Sequence, residues 1–136
     1  MGTKGVSSQR WLSAVVLIHL AVSIIHGAAH RGAQVALSQA GNWFVLIVIL
    51  IGPLTGLVLT WPARKFGSWI IAITMAGSFV FGAVNHFLIA GEDHVLHVDP
   101  QWRALFTASA VLLTVLELLG CRLAIGKLNE SRKAIR

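Results

Sequence analysis

The side chains able to do chemistry in this chain are six histidines and five acids, and most of the histidines are grouped by their spacing. His19, His26 and His30 fall in one apolar stretch, Trp11 to His30. On a helix, steps of seven and four return these three within an arc of roughly 40° at about 100° per residue. His26-Gly-Ala-Ala-His30 sets two imidazoles side by side at i, i+4, the spacing by which one helix chelates a metal ion. His94-Val-Leu-His97, at i, i+3, can do the same from one turn, and His86 adds a further nitrogen donor. The candidate metal ligands are therefore His26, His30, His86, His94 and His97. Imidazole with carboxylate suits a borderline metal: zinc, iron or copper. Asp93 and Asp99 lie in the same stretch as His94 and His97. Either can act as a ligand, as a partner fixing an imidazole tautomer, or as a general base.

The elements that position these residues follow from composition. The chain is 56% hydrophobic and 12% charged. A soluble domain carries about 25% charged residues, so an ordinary soluble protein is excluded. Four apolar segments, at about 11–30, 43–61, 69–90 and 102–125, are each long enough to cross a hydrocarbon core of about 30 Å. Joined by short connections, they predict an all-α, integral membrane, antiparallel four-helix bundle, one domain over residues 1–136. Residues 1–10 ahead of the first segment imitate a secretory signal peptide, but full spanning length and an internal His19 predict a retained span. Gly52-Pro53 predicts a kink, and Gly52 with Gly56 a close helix contact. Gly77, Ser78 and Gly82 predict a second small-residue packing face. Trp11, Trp43, Trp61, Trp69 and Trp102 are placed as interfacial anchors. The tail from Lys127 onward is expected to fray. One cysteine, Cys121, allows no intrachain disulfide.

Charge sets the orientation. Lys4, Arg10, Arg64, Lys65, Arg122, Lys127, Arg132, Lys133 and Arg136 belong to one side of such a bundle, and Arg31 and Arg103 to the other. Cytoplasmic loops carry the basic excess, so both termini are expected in the cytoplasm. The net charge of +6 then marks a membrane surface, and with no groove-reading motif no nucleic-acid partner is expected.

With that orientation, five histidines and Glu92, Asp93 and Asp99 converge on the extracytoplasmic end. His30, His94 and His97 taken singly could merely hydrogen-bond headgroups, water or backbone. His26 and His86 sit roughly 6–7 Å deeper at about 1.5 Å per residue, where an unsatisfied polar group costs several kcal/mol. Lower in the bundle, His19 and Glu117 match in depth within about 1.5 Å. The first and fourth helices of an up-down bundle are neighbours, so these two are predicted to hydrogen-bond. They serve either as a proton relay or as a pair fixing helix register. Asp93, Glu117 and His19 are the candidate catalytic residues.

His26-x-x-x-His30 with His94 and His97 resembles the histidine boxes of membrane desaturases and hydroxylases. The likeness stops at those four residues: the His-x-x-His-His boxes are missing and the chain is far shorter, so that chemistry is not carried over. Histidines at equal depth on two helices also resemble membrane b-type cytochromes, which would make His26 and His86 axial, cofactor-binding ligands of haem b.

Three functions follow as expectations. The first is a metal site, in an enzyme or oxidoreductase acting on a lipid-soluble substrate. The second is a bis-histidine haem b electron carrier exchanging electrons with quinone. The third is a non-catalytic subunit docking a membrane-protein partner or a second copy.

Overall fold

The computed structural model describes residues 3–133, with side chains for 7–130. Lys4, Arg132, Lys133 and Arg136, used above to orient the chain, have side chains outside the described residues. The described chain is all-helical: α1 (Thr3–Gly32), α2 (Gln39–Leu59), α3 (Arg64–Leu88) and α4 (Pro100–Lys133). All four are long and apolar enough to cross a membrane. Large apolar side chains such as Ile24, Ile47, Ile73 and Val115 face outward along all of them. So much exposed apolar surface suits lipid and not water.

Local chemistry sets the helix ends nearest the histidines. Past Gly32, Gln34 takes the left-handed conformation at φ 56°. There the Val35 N–H reaches back to the His30 carbonyl at 3.0 Å, which satisfies a terminal carbonyl and stops α1. Ser38 caps α2 by accepting from the Gly41 N–H. Asp99 caps α4 by accepting from the Gln101 N–H at 2.7 Å, with Pro100 at the first helical position.

Two helices contain a π-helical turn. In α2 it covers Val45–Ile51, directly before Gly52-Pro53. Pro53 has no N–H for the Ile49 carbonyl, and its ring crowds that carbonyl. The chain widens, so that the Gly52 N–H donates to Ile47, five residues back. The disturbance expected at Pro53 therefore takes the form of a π turn preceding it. In α3 the π turn covers Val84–Leu88 and carries His86.

Neighbouring helices run α1, α4, α3, α2 and back to α1, which sets α1 diagonally across from α3. Leu12, Val16, Ile71, Met75 and Ala124 fill the end near the chain termini. Val15, Val22, Leu113 and Leu116 form a second cluster between α1 and α4. Ala29, Val98 and Phe106 close the opposite end. Gly56 and Gly67 bring α2 and α3 together: a Cβ on Gly56 would lie 2.6 Å from Ile71 Cγ1, and one on Gly67 would strike the backbone at Gly56 and Thr60.

One expectation is corrected here. The tail does not fray before Lys133, because Ala124 and Leu128 are buried and hold the last turns of α4 to the bundle. Trp102 is half-exposed, and its indole packs on Gly32, where any Cβ would collide with the ring, a packing role beside the expected anchoring one.

Candidate functional site

α1 presents His26 and His30 one turn apart, and α3 presents His86 from its π turn. Extra π-helical residues are common where a side chain must be re-aimed toward a site. Because α1 and α3 are diagonal, the three imidazoles meet across the bundle core. Among the described residues they form the group able to hold a metal ion, with one ligand atom from each all within 4.8 Å.

The hydrogen bonds around the rings decide which nitrogens are free. The Ser109 hydroxyl donates to the Leu105 carbonyl at 2.7 Å, which leaves its oxygen to accept. His26 Nδ1 lies 2.8 Å from that oxygen and donates to it in the tautomer that leaves Nε2 free for a metal. His86 Nδ1 faces the backbone carbonyl of Asp93 at 3.1 Å, and a carbonyl can only accept, so this nitrogen carries the proton too. The remaining nitrogens, Nε2 of His26 and Nε2 of His86, are 3.1 Å apart. With Nδ1 protonated on both rings these are facing lone pairs, which a cation or a proton would bridge; with Ser109 donating to His26 Nδ1 instead, His26 Nε2–H donates to His86 Nε2.

Asp93 completes the constellation. Its Oδ1 lies 3.2 Å from both His30 Nε2 and His86 Nδ1. Neither approach has the alignment of a hydrogen bond, so both buried carboxyl oxygens are left without a donor. His30 Nδ1 points at the Val35 carbonyl at 3.5 Å. Beneath the rings, the fully buried Phe106 sits with its centroid 4.7–5.2 Å from all three imidazoles. The 91–99 connection folds over the top, held by Val95 N–H to the His86 carbonyl at 3.0 Å and by Val98, which is buried.

A cavity of about 370 Å³ opens below the group. Ser23, Phe81, Leu113 and Glu117 are among its walls, and His26, His30, His86 and Asp93 form its other end. Part of the small-residue face predicted on α3 serves this space: Gly77 approaches Val48, whereas Ser78 and Gly82 line the cavity. Phe81 stacks on Phe44 at 4.6 Å and presents its remaining surface to the cavity. Glu117 is 3% exposed, with Oε1 3.4 Å from Nε2 of the fully buried His19. This is the contact that matched depth on adjacent helices predicts.

The other expected residues are placed differently. His94 and His97 face each other with centroids 5.2 Å apart. His97 Nδ1 is bonded to the Gly91 carbonyl, and His94 Nδ1 accepts from the Leu96 N–H, so both rings are engaged with their own loop. Asp99 is the cap of α4, and Glu92 is exposed. Ser109 and Phe106 were not singled out from the sequence. The available signal was the run Phe106, Ser109, Leu113, Glu117, whose 3-4-4 steps put all four on one face of α4.

Three imidazoles beside a carboxyl have the chemistry of a transition-metal site. Metal–nitrogen bonds of about 2.0–2.1 Å at tetrahedral angles set ligand nitrogens about 3.3 Å apart, close to the 3.1 Å between His26 and His86, whereas the three ligand atoms together extend to 4.8 Å, so the set must draw in around an ion. The Nδ1 hydrogen bonds to Ser109 and to the Asp93 carbonyl are the partners that orient metal-binding histidines. The direct contact of His26 with His86 leaves no slot for a porphyrin between them, so the geometry gives haem no support. No protein-family model matches the chain, and no curated protein or solved structure matches it either.

Proposed function

We propose that this chain is a single-domain, four-span membrane protein that holds one transition-metal ion, zinc, iron or copper, on His26, His30 and His86. Both termini face the cytoplasm, and the site lies at the extracytoplasmic end. The observation that carries the reading is the grouping of His26, His30 and His86, with Nε2 of His26 and His86 3.1 Å apart and each of those two rings held through Nδ1. The undonated carboxyl of Asp93 adds a fourth ligand or a proton acceptor beside the ion. The basic excess at the terminal end supports the orientation.

A metal held there would supply a Lewis acid able to activate bound water or, as iron or copper with an external reductant, oxygen, toward a lipid-soluble substrate. Asp93 takes up and returns a proton at its Oδ1. Glu117 faces the cavity and passes a proton to and from His19 Nε2. The bilayer is the medium and the source of substrate.

Elemental analysis with a visible spectrum tests this on detergent-purified protein, beside His26→Ala and His86→Ala. One zinc, iron or copper per chain, lost in both variants, is the expected result. A Soret band lost in both would replace the metal site with haem. Protein that takes up none of the three metals on reconstitution would overturn the reading.

A further inference from the structure

The inner end of the cavity has a chemistry of its own. Ser78 Oγ–H donates to the Thr74 carbonyl at 2.8 Å, and Thr114 Oγ1–H to the Ala110 carbonyl at 3.0 Å. Both hydroxyls thus have their protons engaged and keep only acceptor capacity, and both residues line the cavity. Glu117 adds a carboxyl whose recorded contact is the long 3.4 Å one to His19. Ser23 Oγ lines the same space, buried and with no hydrogen-bond partner. Among the described residues this end therefore offers the Glu117 carboxyl and the Ser78 and Thr114 oxygens as acceptors, and the Ser23 hydroxyl as a group that can both donate and accept. Between this end and the imidazoles the walls are apolar: Val45, Ile49, Phe81 and Leu113. From Ser23 to Arg31 the cavity follows α1 for roughly 12 Å at about 1.5 Å per residue.

We infer that this cavity binds a neutral lipophilic alcohol, with its hydroxyl at the inner end against Glu117 and Ser23 and its apolar body along Leu113 and Phe81. An acceptor carboxyl beside an unpartnered hydroxyl in a low-dielectric space selects a ligand group that both donates and accepts, as an alcohol does. A carboxylic acid is disfavoured, because no Lys or Arg lines the inner end to offset its charge. An ammonium would have to lose its hydration among apolar walls. Gly82 leaves room in the cavity wall, since a Cβ there would meet only His86 Cδ2 at 3.8 Å. As the substrate class of the proposed site, this rests on the metal reading; as binding alone, it does not need the ion.

The test is photolabelling of the full chain in lipid nanodiscs with a diazirine-bearing 1-decanol, with and without bound zinc, and peptide mapping of the label. The expected label falls on cavity residues of α2 and α4, is displaced by excess 1-decanol, and is unaffected by decyl methyl ether, which has no donor. Leu113→Trp, which fills the space, abolishes it, and Glu117→Leu lowers it at least tenfold. Label confined to lipid-facing residues such as Leu112 and Val115 would overturn the inference. Equal displacement by the ether, or displacement by decylamine alone, would overturn it as well. Metal content of the same samples is read separately, so labelling without metal uptake sinks only the metal reading, and metal uptake without labelling sinks only the alcohol.

Discussion

His26 Nε2 on α1 and His86 Nε2 on α3 face each other at 3.1 Å across the diagonal of the bundle, each ring held by a hydrogen bond through its other nitrogen. With Nδ1 protonated on both rings the facing lone pairs repel, and a shared cation would relieve this. Removing either ring should therefore do more than remove one ligand. His26→Ala and His86→Ala are each expected to weaken zinc binding by more than the roughly 10–100-fold typical of losing a ligand's outer partner. Competition against a chelator of known affinity measures it. Wild-type affinity in either variant would refute the site.

Ser109 touches no ion in this arrangement and acts through His26 Nδ1. Ser109→Ala leaves that nitrogen free to lose its proton to Nε2, so the wrong tautomer becomes available. Metal affinity should fall by about 10–100-fold while the helical circular dichroism is unchanged. If affinity holds, the hydrogen bond does not orient the ring.

The His19–Glu117 contact is buried on both sides. Interhelical polar bonds of this kind contribute about 0.6–2 kcal/mol in membranes. A double-mutant cycle of His19→Leu and Glu117→Leu, read by reversible denaturation in mixed micelles, should give a coupling of that size. Strictly additive effects would show that the two groups do not interact.

Gly67 and Gly27 make a contrasting pair. A methyl group on Gly67 has backbone in its way on α2, whereas one on Gly27 meets nothing within 4 Å. Gly67→Ala should destabilise the protein by about 1–3 kcal/mol, as overpacking does. Gly27→Ala should be neutral or slightly stabilising. Thermal unfolding of both in one detergent decides it, and equal melting temperatures would contradict the close α2–α3 approach.

The orientation is open to labelling from outside. In a Cys121→Ala background, Glu92→Cys should react with a membrane-impermeant maleimide on intact cells. Lys65→Cys should react only after permeabilisation. The reverse pattern would turn the molecule over and place the histidines at the cytoplasmic end.

Much of this organisation is legible in the sequence because it follows from periodicity and from the cost of burying charge. Four apolar runs allow little besides four long helices, since backbone polar groups in hydrocarbon must be satisfied within the helix. The i, i+4 pair His26 and His30 and the isolated His86 stood out because imidazoles inside apolar runs demand partners. The contact of His19 with Glu117 followed from equal depth on adjacent helices. Tertiary structure alone decided what depth and spacing leave open, namely rotation and rotamer. The π turn at Val84–Leu88 aims His86 across the diagonal, and no local pattern announces that extra residue. Loop folding took His94 and His97 into contact with each other and with loop backbone, gave Asp99 to a helix cap, and left Asp93 facing the imidazoles. Ser109 became a partner of His26 only because α4 packs beside α1 with that face turned inward. Sequence periodicity fixes which residues share a helix face; which faces meet, and which nitrogen is left free, depends on how the whole bundle packs.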